Sequence, residues 1–131
     1  MMAINQAEGV LLQPMVDGLE VILGVSREDG FGHLIMFGLG GIYTEVLKDV
    51  QFALAPLSVA QCQSIVRGIR SFALLEGVRG DKGMDIRLLA EYLLRLGCLV
   101  TDFPQIRELD LNPVKGIDRN LYAIDARIIL D

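Results

Sequence analysis

Two strand-like segments lie close together near the end of the sequence, and their pairing constrains the fold more than any other feature. They are residues 108–113 (Glu-Leu-Asp-Leu-Asn-Pro) and residues 122–127 (Tyr-Ala-Ile-Asp-Ala-Arg). The polar stretch from Lys115 to Asn120 lies between them, and such stretches are typical of turns. The sequence therefore predicts a β-hairpin that closes the chain.

Three oxygen-bearing side chains fall on one surface of this predicted hairpin. Because side chains alternate between the two faces of a strand, Asp110 and Asn112 share a face of the first segment. On the second segment, Asp125 shares a face with Ala123 and Arg127. A few carboxylates and an amide oxygen, with positions left open for phosphate oxygens, are the ligands that Mg²⁺ uses. The alternative interpretation is a solvated hairpin face with ordinary polar residues.

Strand patterns also fill the first part of the chain. Alternating apolar residues predict a strand at 19–26, with the turn signals Asp17-Gly18 and Asp29-Gly30 on either side of it. Three further strands are predicted at residues 8–16, 32–37 and 51–55. Residues 43–50 are predicted to form an irregular extended stretch, and residues 72–83 a loop.

Two helices are predicted between these strands and the hairpin. Ser58 and Gln61 form a capping box at the start of the first helix. Asp85 begins a longer second helix, and Pro104 prevents it from continuing. The prediction is a single α+β domain over residues 1–131, an antiparallel β-sheet covered by two helices.

Composition excludes several classes of function. The formal net charge is −5, which argues against nucleic-acid binding because that requires basic patches. No apolar run approaches the roughly 20 residues that span a bilayer. Cys62 and Cys98 lie far apart in apolar patterns and are expected to be reduced core thiols of a cytoplasmic protein. His33 lies in an apolar run and is not assigned to catalysis.

The chain is also unusually apolar. Hydrophobic residues make up 52% of the sequence and the mean hydropathy is +0.44, which is high for a domain of this size. Surplus apolar surface usually marks a contact with another protein surface, so self-association is expected.

A glycine-rich segment, residues 38–41 (Gly-Leu-Gly-Gly), has two interpretations. It is either a tight turn or a place where backbone N–H groups face a phosphate. It lacks the strand–GxGxxG–helix context of a dinucleotide fold and the Lys-Ser/Thr of a P-loop.

The order of these motifs resembles one family. The matching segments include 10–16 (Val-Leu-Leu-Gln-Pro-Met-Val), 36–43 (Met-Phe-Gly-Leu-Gly-Gly-Ile-Tyr), 75–80 (Leu-Glu-Gly-Val-Arg-Gly) and 108–113. Together they resemble the ATP-grasp module of NDP-forming acyl-CoA synthetases, related to the β subunit of succinyl-CoA synthetase. The resemblance runs from about Glu8 to Leu130 and implies the carboxyl-terminal subdomain of an ATP-grasp fold.

The resemblance also implies roles for individual residues. Asn112 and Asp125 match residues that hold Mg²⁺ on the phosphates of ATP or ADP. Asp110 matches an acidic position that faces a phosphorylated histidine, and Glu20 matches one near the nucleotide. The segment whose backbone holds the adenine edge corresponds to Gln13, Pro14, Met15 and Val16. The glycines beside the nucleotide correspond to Gly38, Gly40 and Gly41.

The implied reaction is acyl-CoA + ADP + phosphate ⇌ carboxylate + CoA + ATP, through a phosphohistidine. The resemblance implies that the amino-terminal ATP-grasp subdomain, with the lysine-bearing half of the phosphate clamp, and the CoA-binding and acid-ligase domains lie outside this sequence. The chain is therefore expected to be an inactive fragment when isolated. The acyl group and the choice between ATP and GTP stay open. The alternatives are an ATP-grasp-like regulatory part of a protein acyltransferase and a non-catalytic oligomerisation domain.

Overall fold

The computed structural model describes residues 6–41 and 44–131, and it confirms the predicted α+β architecture. A six-stranded antiparallel sheet has the order β3-β2-β1-β4-β5, and β6 also pairs with β4. The elements are β1 (Leu19–Glu28), β2 (Gly32–Leu39), α1 (Thr44–Leu47), β3 (Val50–Leu54), α2 (Val59–Gly68), α3 (Phe72–Glu76), α4 (Ile86–Asp102), β4 (Ile106–Ile117), β5 (Asn120–Ala123) and β6 (Ala126–Leu130).

The predicted hairpin is present and is longer than expected. Strand β4 pairs with β5 and then with β6 in one register, from Ile117 opposite Asn120 to Asp110 opposite Arg127. The prediction of a polar turn from Lys115 to Asn120 was wrong, because β4 continues through Ile117. Its buried residues Val114 and Gly116 keep that part of the strand in the sheet, and the turn is confined to the two residues after Ile117.

The core lies between one face of the sheet and helices α2 and α4. Val21, Leu23 and Val25 of β1 point into it, in the alternation that the sequence predicts. Helix α2 begins with the predicted capping box, in which Gln61 N–H donates to Ser58 Oγ at 3.2 Å and Ser58 N–H donates to Gln61 Oε1 at 2.8 Å. These helices cover only one face, and the opposite face of the sheet is open.

Several local predictions were wrong. Residues 8–16 form no strand and Asp17-Gly18 is no hairpin turn, because β1 takes β2 and β4 as its partners and leaves no place for the earlier segment. One helical turn, α1, occupies part of the predicted extended stretch, and a short helix, α3, opens the predicted loop at 72–83. Gly38 belongs to β2 instead of ending it, because it pairs with Ile22 and Val50.

The two cysteines and the histidine differ in their surroundings. Cys62 is buried, and burial raises the pKa of its thiol. Cys98 is exposed, so the prediction of two core thiols was wrong for it; it lies on the outer side of α4. His33 is buried, and its Nε2 lies 2.7 Å from the carbonyl oxygen of Ile106. His33 therefore joins β2 to the start of β4 in the protein interior.

A buried carboxylate joins β3 to the connection between α2 and α3. Asp49 is 6% exposed. It accepts hydrogen bonds of 2.7 Å from the backbone N–H groups of both Arg70 and Ser71. Burial alone would raise the pKa of Asp49, but the hydrogen bonds from Ser71 and Arg70 outweigh it and hold the pKa below its ordinary value.

Within the described residues, no helix is long and apolar enough to cross a membrane.

Candidate functional site

The open face of the sheet carries a line of polar side chains. Because Val21, Leu23 and Val25 face the helices, the alternating residues of β1, which include Glu20 and Gly24, face the other way. Glu20 pairs in register with Lys115 of β4, and Lys115 pairs in turn with Tyr122 of β5. The Lys115 Nζ lies 3.2 Å from Glu20 Oε1.

The glycine-rich segment packs against one end of this line. The Gly40 N–H donates to the backbone oxygen of Glu20 at 2.8 Å, and a Cβ on Gly40 would lie 3.0 Å from the Glu20 carbonyl carbon. A Cβ on Gly38 would lie 2.6 Å from Val50 Cγ1. Gly41 has φ +91°, a left-handed conformation that favours glycine. The glycines thus permit close backbone approach, and the Gly40 N–H already has a protein partner.

The segment from Gln13 to Val16 lies at the other end of the line. Gln13, Pro14 and Val16 line a cavity of about 180 Å³ together with residues 122–124. Met15 is 92% exposed. The predicted adenine-edge segment, residues 13–16, and the glycine-rich segment, residues 38–41, therefore lie at opposite ends of this line of polar side chains.

A β-bulge lies at the predicted metal ligand of β4. Val21 pairs with Val114 and Leu23 pairs with Leu111, so one residue of β1 faces two residues of β4, Asn112 and Pro113. The bulge shifts the alternation by one, so that the inward positions are Leu109 and Leu111 just before it and Val114 and Gly116 after it. Bulges of this kind re-aim side chains and occur next to active sites.

Asn112 and Asp125 lie opposite each other across the hairpin. The Asn112 N–H donates to the backbone oxygen of Asp125 at 3.3 Å, in the register that pairs Leu111 with Ala126. Both residues are exposed. The Asp125 Oδ1 accepts the Ala126 N–H at 2.9 Å. Ala123 does not share their face as predicted, because it lies opposite the buried Val114.

An amide and a carboxylate on adjacent strands fit a hard cation such as Mg²⁺. Among the residues that the structure describes, no group of three or more His, Cys, Asp and Glu side chains could hold a metal ion. One amide and one carboxylate leave coordination positions of such a cation to oxygens from phosphate or water.

Asp110 lies two residues before Asn112 on β4, on the same surface. It is half-buried, opposite Arg127 of β6 on one side and Gly24 of β1 on the other. The three residues line a shallow cavity of about 240 Å³ on the open face. Met36 and Phe52 give the cavity an apolar side. Every predicted site residue thus lies on this face or at its margin.

Comparison with known proteins identifies the family of this chain. Residues 2–130 match the ATP-grasp domain family. The chain belongs to the ATP-grasp family. Its curated relatives include ADP-forming acetate–CoA ligase I of Archaeoglobus fulgidus, which is 46% identical over 124 residues, a match that covers 94% of this chain and 18% of that protein. The β subunit of ADP-forming acetate–CoA ligase I of Pyrococcus furiosus is 41% identical, over 93% of this chain and 53% of that subunit.

A solved structure shares both sequence and fold with this ATP-grasp domain. It is the dinucleotide-forming acetyl-coenzyme A synthetase 1 of Ca. Korarchaeum cryptofilum in complex with coenzyme A and Mg-AMPPCP, with its phosphohistidine segment pointing towards the nucleotide-binding site. The two chains superimpose with a TM-score of 0.84 at 38% identity, over 89% of this chain and 55% of that one. The ATP-grasp domain described here thus spans about a fifth to a half of the length of these relatives.

Sequence reasoning missed two cations on the open face. Lys115 was predicted to lie in a turn, and Arg127 was noted only as a strand neighbour of Asp125. Strand alternation continued beyond Val114 would have placed Lys115 in β4, because Val114 and Gly116 are small or apolar and flank it. Pro113 and the change of apolar spacing from Leu111 to Val114 are the signals in the sequence that could have indicated the bulge at Asn112.

Proposed function

We propose that this ATP-grasp domain is the Mg²⁺–nucleotide-binding part of a cytoplasmic ADP-forming acyl-CoA synthetase. The observation that supports it most is the placement of Asn112, Asp125 and Asp110 on one open sheet face, in a domain whose relatives are named as ADP-forming acyl-CoA ligases. The complete enzyme would convert acyl-CoA, ADP and phosphate into a carboxylate, CoA and ATP.

The open face is assigned to the phosphates and the nucleotide. Asn112 and Asp125 would hold a Mg²⁺ ion, which neutralises phosphate charge and orients the transferred group. Residues 13–16 would border the base, and Glu20 with Gly38, Gly40 and Gly41 would border the rest of the nucleotide. Asp110 would accept a hydrogen bond from the imidazole that receives the phosphoryl group. Such positioning is what phosphoryl transfer requires of a protein.

Partners complete this site. We propose that an amino-terminal ATP-grasp subdomain covers the open face, and that CoA-binding and acid-ligase domains bind CoA and the carboxylic acid. Exposed apolar residues precede β1, where Leu11 is 79% exposed, Leu12 88% and Met15 92%. An uncovered segment of this kind favours association with another protein surface.

The isolated 131-residue chain is expected to bind ATP weakly or not at all and to self-associate. The proposed amino-terminal subdomain would supply the other half of the phosphate clamp, and Leu11, Leu12 and Met15 before β1 are exposed in the part of the chain that the structure describes. Titration calorimetry measures the affinity, and light scattering measures the molecular mass. Micromolar ATP affinity in a monodisperse monomer would contradict this expectation.

The assignment of Asp125 tests the proposed function in the complete enzyme. We expect Asp125→Ala to lower ATP formation from acetyl-CoA, ADP and phosphate by at least tenfold, because a metal ligand is lost; even outer-shell partners of a metal are worth about 10–100-fold. Asp102→Ala is the matched control, since Asp102 is an exposed carboxylate at the end of α4. Equal activity of the two variants would remove Asp125 from the site.

A further inference from the structure

Arg127 occupies a position on the open face that the proposed nucleotide and metal ligands do not account for. It lies directly opposite Asp110 in the β4–β6 register, and residues in such pairs have Cβ atoms about 4.5–5.5 Å apart. It is two residues from Asp125 along the same chain. The guanidinium reaches past Asp110 to Glu108, and all three side chains line the same cavity.

The ion pair that Arg127 makes is weak. Its Nη2 lies 3.3 Å from Glu108 Oε2, and the two side chains are 68% and 44% exposed. A single exposed contact of this length contributes little to stability. A planar guanidinium forms stronger, two-pronged hydrogen bonds with phosphate oxygens. Glu108 can therefore hold Arg127 near the cavity without competing strongly with a phosphate.

The charges around the cavity favour such an exchange. Among the residues that line it, Glu108 and Asp110 are anionic and Arg127 is the cation. Lys115, farther along the open face, is already paired with Glu20. A phosphoryl group that approached Asp110 would be repelled by both carboxylates, and Arg127 is placed to offset that repulsion.

We propose that Arg127 binds the phosphoryl group during transfer between the nucleotide and the histidine, exchanging Glu108 for phosphate oxygens. This inference rests on the proposed function. In the transfer, the bond between the γ-phosphorus and the β,γ-bridging oxygen breaks and its electron pair leaves with ADP, while an imidazole nitrogen uses its lone pair to form the N–P bond. Arg127 donates hydrogen bonds to the non-bridging oxygens and keeps its protons, since guanidinium stays charged.

Three variants of the complete enzyme test this role. With [γ-³²P]ATP and rapid quenching, Arg127→Gln should form phosphoenzyme about 10²–10³-fold more slowly, the usual cost of one donor to a developing oxyanion. Arg127→Lys should fall between this variant and the wild type, because it keeps the charge and loses the two-pronged geometry. Arg95→Gln, the matched control, removes the arginine of an exposed ion pair with Glu91 on α4, outside the cavity, and should stay close to the wild type.

Two further measurements distinguish whether Arg127 contacts the γ-phosphate of the nucleotide or the phosphohistidine. If Arg127 contacts the γ-phosphate of bound nucleotide, Arg127→Gln should weaken binding of Mg-AMPPCP in a calorimetric titration. If it contacts the phosphohistidine, that affinity should hold while discharge of the phosphoenzyme by ADP slows. Either result supports the inference, provided that circular dichroism shows a folded variant; Arg127→Lys serves if Arg127→Gln does not fold.

Two results would overturn it. One is transfer at the wild-type rate in Arg127→Gln, and the other is an Arg95→Gln variant as slow as Arg127→Gln, which would show that the loss is not specific to the cavity. If the proposed function is wrong, the wild-type enzyme will form no phosphoenzyme, a result that differs from the two above. This inference about Arg127 would then be wrong as well.

Discussion

Asp110→Asn in the complete enzyme is expected to slow phosphoryl transfer to the histidine by about 10²–10⁴-fold, with Mg-ATP binding close to that of the wild type. Asp110 is half-buried on the open face, two residues before the proposed metal ligand Asn112 on β4. The amide keeps the shape of the side chain and loses the charge that orients and stabilises the imidazole as it accepts the phosphoryl group.

The measurement is the rate of the phosphoenzyme burst, followed by quenched flow with radiolabelled ATP, beside an ATP titration. Asp102→Asn removes a comparable charge at the end of α4 and should leave both readings unchanged. An unaltered burst in Asp110→Asn would remove this residue from the mechanism. A parallel collapse of ATP binding would instead assign Asp110 to the metal site.

The second large effect is on stability. Asp49→Ala should lower the free energy of unfolding of this chain by about 3 kcal/mol, because it removes the charged acceptor of two hydrogen bonds, from the backbone N–H groups of Arg70 and Ser71. The melting temperature should fall by roughly 10 °C. Chemical denaturation followed by circular dichroism measures the difference, and Asp29→Ala, in an exposed turn, is the control.

The effect of Asp49 should depend on pH. The folded state holds the pKa of this carboxyl below its ordinary value, so the stabilisation is fully present above the unfolded pKa of about 3.9 and is lost as the pH falls through the folded pKa. The gap between wild type and Asp49→Ala should therefore be constant from about pH 5 to pH 8 and narrow below about pH 4. A gap that widens with acid would contradict this account of Asp49.

Local signals in the sequence predicted the elements whose structure depends on neighbouring residues. The capping box at Ser58, the N-cap at Asp85 and the alternation of Val21, Leu23 and Val25 each follow from short-range rules, and each is present. The predicted hairpin also formed, and β4 pairs with β5 and then β6 across it.

Partner choice in the sheet was not available from local pattern. Residues 8–16 have the apolar content of a strand, yet β1 pairs with β2 and β4 on its two sides. Likewise, the bulge at Asn112 depends on how β4 fits against β1; Pro113 indicates an irregularity there but does not give the partner or the register. The positions of Lys115 and Arg127 on the open face follow from that register, so the cations of the candidate site became visible only in three dimensions.

The central claim is that phosphoryl transfer from nucleotide takes place on the open face beside Asn112 and Asp125. The most direct measurement is the Mg²⁺ concentration that gives half-maximal labelling of the complete enzyme by [γ-³²P]ATP. The account predicts an acid-labile phosphohistidine in the wild type, and a rise of about 10–100-fold or more in the required Mg²⁺ for Asn112→Ala/Asp125→Ala, with no rise for Asp102→Ala. Labelling of the double variant at the wild-type Mg²⁺ concentration, or no labelling of the wild type at all, would contradict it.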